Sequence, residues 1–137
     1  MTGEVFVDTG AWIAVSDKRD QYHIRAAGEY RRLIQGSQQL VVTKMIVAET
    51  YTAIRRAMGH APATRFLQSL NQSKHLRHVF SDAYLERQAQ DMLVRYADQD
   101  FSYVDAVSFA MMRQRGITEA FAFDHHFVIA GFRTLPT

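Results

Sequence analysis

The sequence has 137 residues, 47% of them hydrophobic and none of them cysteine, which suits one domain with a real core and excludes a disulfide framework or thiolate metal site. Sixteen Lys and Arg against fourteen Asp and Glu leave a net charge of +2, too even by itself to name a partner. The N-terminus lacks the basic leader and long apolar core of a signal peptide, and no apolar run nears the ~20 residues that span a membrane, so a cytoplasmic protein is expected.

Residues Glu4 to Val7 read as a short strand that ends at Asp8-Thr9-Gly10, and Ala11 to Val15 as the opening of a short helix. Lys18-Arg19-Asp20 breaks the pattern. Asp20 reads as the N-cap of a helix to about Gln35, with His23, Ala26, Ala27, Tyr30, Leu33 and Ile34 at helical spacing. Gln39 to Val42 is a second strand. Thr43 then caps a helix to about Met58, whose core side carries Ile46, Val47 and Ile54. Glu49 falls at the border of that side, near Met45, Thr52 and Arg56.

Pro62 suits the first turn of a helix to about Asn71. Leu76 to Phe80 gives a third strand, and Ser81 is expected to cap an amphipathic helix to about Ala97. The helix from Ser102 to Gln114 is apolar almost all round and must be buried. Gly116 stops it. Glu119 to Phe123 reads as a fourth strand with Asp124 directly after it, and Phe132 to Leu135 as an edge strand. There are no repeats and no linker, so residues 1–137 read as a single domain. Short apolar strands alternating with helices predict an α/β fold, a parallel sheet between helices with right-handed crossovers.

Four acids stand out by position. Asp8 and Asp124 end strands, where open α/β sheets place their ligands. Asp105 lies in the first turn of the buried helix, and Glu49 borders the helix after the second strand. Each has an ordinary structural role open to it: Asp8 can cap the next turn, Glu49 can sit on a solvated helix border, Asp105 can complete a capping box with Ser102, and Asp124 can close an Asx turn or cap a helix. Four separate coincidences are harder to accept than one shared cleft at the edge of the sheet. Carboxylates that share a cleft repel, and hard cations such as Mg²⁺ or Mn²⁺ neutralise them with oxygen ligands. Without cysteine or an HExxH spacing, zinc is disfavoured.

Fourteen acids less these four leave ten, against sixteen basic residues, so the remaining surface is basic and suits a polyanionic substrate. Of the basic residues, Arg56, on the same side of its helix as Glu49, is the first candidate to contact nucleic acid. His126 is a second contact candidate, with a satisfied structural histidine as its competing role. Tyr103 and Phe101 can stack on bases or pack in the core.

On V-F-V-D-T ending at Asp8 and Thr9, T-x-x-x-V-x-E ending at Glu49, D-F-S-Y-x-D-A holding Ser102 and Asp105, and F-x-F-D-x-H-F holding Asp124, the chain resembles the PIN-domain family. Within that family it resembles the VapC toxins of bacterial toxin–antitoxin pairs. The resemblance covers nearly the whole length. It implies a three-layer α/β/α sandwich and a metal-dependent endoribonuclease, with Asp8, Glu49, Asp105 and Asp124 as catalytic acids and ligands for Mg²⁺ or Mn²⁺. It implies supporting hydroxyls at Thr9 and Ser102, a homodimer, and inhibition by a small cognate antitoxin. Asp98 and Asp100 are extra acids nearby. The alternatives are a non-catalytic PIN-like module for RNA binding or assembly, and a housekeeping PIN nuclease. A haloacid-dehalogenase-like phosphatase wants an Asp two residues past the first, and here that residue is Gly10.

Overall fold

The computed structural model describes residues 3–137. Five parallel strands, β1 (Glu4–Val7), β2 (Gln39–Thr43), β3 (Leu76–Val79), β4 (Glu119–Phe121) and β5 (Arg133–Leu135), form one sheet in the order β3-β2-β1-β4-β5. Val5, Phe6 and Val7 are all fully buried, as expected of a central strand covered on both faces.

The chain winds outward from β1 through β2 to β3, then returns across the sheet to β4 and β5. Right-handed crossovers therefore put α1 (Thr9–Ser16), α2 (His23–Gln35), α3 (Lys44–Met58) and α4 (His60–Gln72) on one face. They put α5 (Ala83–Arg95), α6 (Tyr103–Arg115) and α7 (His126–Ile129) on the other. Each face has its own aromatic core. Trp12 meets Tyr30 and Phe66 edge-on at 5.9 and 5.8 Å on the first. Phe109 meets Phe101 and Phe127 at 5.2 and 4.9 Å on the second. The winding reverses between β1 and β4, which makes their C-terminal ends the topological switch point.

Helix α6 is the buried one: Ala106 to Met112 are all at most 5% exposed. Its capping box is complete, with Ser102 Oγ accepting from the Asp105 N–H and Asp105 Oδ2 accepting from the Ser102 N–H. Gly116 closes it in the left-handed conformation at φ 70°. Two expected caps moved. Asp20 Oδ1 accepts the Tyr22 N–H at 2.8 Å in an Asx turn, so α2 starts at His23 instead of next to Asp20. Asp82 takes the Leu85 N–H at 2.8 Å and caps α5, while the Ser81 hydroxyl donates to Glu86. The fourth strand is shorter than expected and stops at Phe121.

Thr43 caps α3 as expected, its Oγ1 accepting the Ile46 N–H at 3.2 Å. Thr43→Ala leaves that buried N–H without a partner and is expected to cost about 1 kcal/mol, read as a lower urea midpoint.

Candidate active site

Asp8 stands where β1 meets α1, in the N-cap position, yet its side chain makes no capping hydrogen bond. Only 7% of the residue is exposed. Burial pushes its carboxyl up to about 7; a backbone hydrogen bond from Thr9 pulls the other way, and the charges of Asp105, Asp124 and Glu49 push it up further. The ordinary capping role of Asp8 is therefore absent, and three other acids are close enough to act on it.

The remaining acids are held by local bonds that orient them. Thr9 Oγ1 donates to Glu49 Oε1 at 2.5 Å, tying the start of α1 to α3. Asp105 is fixed by its capping box, so capping and site geometry coexist in one side chain. Asp124 Oδ1 accepts the His126 N–H at 2.9 Å, the Asx turn foreseen for it. His126 Nδ1 then lies 3.4 Å from both Asp105 Oδ2 and Asp124 Oδ1. That is too long for a good hydrogen bond, and the buried Nδ1 has no hydrogen-bond partner among the described residues. Phe101 holds it from the side, edge to face at 5.3 Å.

These residues line one cleft of about 400 Å³: Asp8, Thr9, Gly10, Glu49, Asp100, Ser102, Asp105, Asp124 and His126. All four expected acids and both expected hydroxyls are in it. Asp100 joins them, and Asp98 does not line it. Gly10 was not foreseen as a site residue. A Cβ there would stand 4.0 Å from Asp8 Oδ2, in ordinary contact with that carboxylate. Its signal lay in the sequence as the residue after Asp-Thr. Arg56 is exposed and lies in an adjoining apolar groove with Met45, Glu49, Thr52 and Val104.

The donor set is almost all oxygen, which suits a hard divalent cation. A carboxyl pushed to about 7 by burial, and further by neighbouring acids, is also a carboxyl that a cation would relieve. Among the described residues, donor atoms of Asp124, His125 and His126 come within 4.8 Å of one another, and Asp105 Oδ2 lies 3.4 Å from His126 Nδ1.

The model of the PIN domain matches residues 5–132. The chain is 38% identical over 130 residues to the 23S rRNA-specific endonuclease VapC20 of Mycobacterium tuberculosis, covering 93% of this chain and 95% of that protein. It is 29% identical over 104 residues to a VapC ribonuclease of Archaeoglobus fulgidus, 74% of this chain and 65% of that one. The crystal structure of Mycobacterium tuberculosis VapC20, described as a sarcin–ricin loop cleaving toxin, superposes with a TM-score of 0.86 at 34% identity over 93% of this chain and 95% of that one. FitAcB of Neisseria gonorrhoeae shares the fold, with a TM-score of 0.66 at 14% identity over 95% of each chain.

Proposed function

The chain belongs to the PIN-domain family, and from that premise we propose that it is an endoribonuclease of the VapC toxin type, dependent on a divalent cation. The observation that carries this reading is Asp8, a buried carboxyl without a capping role, facing three further acids at the switch point of the sheet. Asp8, Asp105 and Asp124 would hold Mg²⁺ or Mn²⁺, with Glu49 reaching it directly or through water. When bound, that cation supplies Lewis-acid polarisation of a phosphodiester and acidifies the attacking water.

The chain's own residues do the rest. Thr9 fixes the Glu49 carboxylate over the cleft. Ser102 fixes Asp105, and His126 Nδ1 stands 3.4 Å from both Asp105 and Asp124. Water attacks phosphorus in line with O3′; the P–O3′ bond breaks and O3′ takes a proton, leaving a 5′-phosphate and a 3′-hydroxyl. Arg56, in the adjoining groove, would draw the RNA backbone. Further expectations are a single domain over 1–137, a homodimer and a small antitoxin that blocks the cleft. Among the described residues, no helix is long and apolar enough to cross a membrane.

The test is cleavage of total RNA, including ribosomal RNA as the relative's name suggests, by the purified protein. Discrete fragments are expected with Mg²⁺ or Mn²⁺ and none with EDTA, and end mapping should give 5′-phosphates. Equal cutting in EDTA would overturn the metal-dependent reading.

A further inference from the structure

The strand register lines up three positions across the C-terminal edge of the sheet. Phe6 pairs with Val41 and Thr43 with Val79, so Asp8, Thr43 and Val79 stand abreast. One residue beyond, Lys44 and Phe80 leave β2 and β3 side by side, with Lys44 Nζ 5.6 Å from the centre of the Phe80 ring. Neighbouring strands are ~4.8 Å apart, which puts the Phe80 backbone about 10 Å along the edge from Asp8.

Phe80 is 68% exposed and has no part in the hydrophobic core. Lys44 makes no ion pair among the described residues. The loop that carries the ring is tied down. Ser81 donates to Glu86 Oε2 at 3.0 Å, and the Tyr103 hydroxyl donates to Glu86 Oε1 at 3.0 Å. Tyr103 follows Ser102, whose capping box holds Asp105. The position of the ring is thereby coupled to the acid cluster through bonded groups.

We propose that Phe80 and Lys44 form a base-stacking subsite for an unpaired nucleobase of the RNA beside the scissile phosphate. This rests on the ribonuclease reading and adds to it the form of substrate the site accepts. A solvated aromatic ring offers a stacking face to any base, and an ammonium group beside it meets the adjoining phosphate. Bases in a duplex have their faces covered, so the subsite selects looped or single-stranded RNA.

The experiment uses the full chain carrying Asp105→Asn, to prevent cutting, and a short fluorescein-labelled single-stranded RNA. Adding Phe80→Ala or Phe80→Leu should weaken binding about tenfold, and Phe80→Trp should restore it. A 2-aminopurine placed in the strand should be quenched by stacking with Phe80 or Trp at that position and not with Leu. Unchanged binding with Ala and Leu overturns the subsite and leaves the ribonuclease reading standing. No RNA binding by the Asp105→Asn parent overturns both. An Ala variant of halved mass with unchanged RNA binding would assign the ring to contact between copies of the chain, and also overturns the subsite.

Discussion

Asp105→Asn is expected to keep the fold and lose cleavage by about 10²–10³-fold, the usual cost of removing one group that stabilises charge in the reacting complex. The fold should survive because the substitution preserves the capping box. Asn retains an Oδ1 that can accept the Ser102 N–H, and its own N–H still reaches Ser102 Oγ. The seven buried residues behind the cap, Ala106 to Met112, are not touched. What is lost is one negative charge among four. Circular dichroism should give a melting curve no lower than that of the parent, while single-turnover cleavage collapses. A variant that cuts at the parental rate would remove Asp105 from the chemistry.

Asp8→Asn should make the metal-free protein more stable at neutral pH. The carboxyl titrates near its ordinary 3.8 in the unfolded chain and at about 7 in the folded one. Below pH ~4 both states hold the proton and nothing distinguishes them. Between pH ~4 and ~7 the unfolded chain ionises first, so folding stability falls as pH rises and levels off above 7. Three pH units at ~1.4 kcal/mol each set an upper limit of about 4 kcal/mol. Urea melts in EDTA across this window should show the fall in the native protein and a flatter profile in the variant. Saturating Mg²⁺ or Mn²⁺ should then stabilise the native protein and leave the variant nearly unchanged. A variant less stable than the parent in EDTA at pH 7 would contradict the account of Asp8 as a strained, uncompensated charge.

Much of this was legible because the chemistry and the periodicity agree. Short strands between amphipathic helices point to the parallel sheet, and Asp8, directly after β1, with Asp124, three residues past β4, points to its C-terminal edge. The helix around Val107 and Phe109 could only be buried, which made Asp105 conspicuous. Caps were less legible: Asp20 and Ser81 have the right side chains, but they fall two residues and one residue before the caps, where Asp20 closes an Asx turn and Ser81 donates to Glu86. The Thr9–Glu49 bond joins residues 40 positions apart, and no local pattern announces such a contact. His126 posed a similar problem. Its neighbour Asp124 was visible, but its place between two carboxylates depends on how α6 and the β4–α7 turn meet in space.

The most direct test of the central claim, that the four acids act as one cation site that cuts RNA, is to measure bound Mn²⁺ and cleavage rate in the same samples. Mn²⁺ is titrated into stripped protein, native beside Asp8→Asn. The rate should rise in step with occupancy in the native protein, and the variant should show neither occupancy nor cleavage. Cleavage that persists in the stripped native protein, or Mn²⁺ bound equally by both proteins, would contradict it.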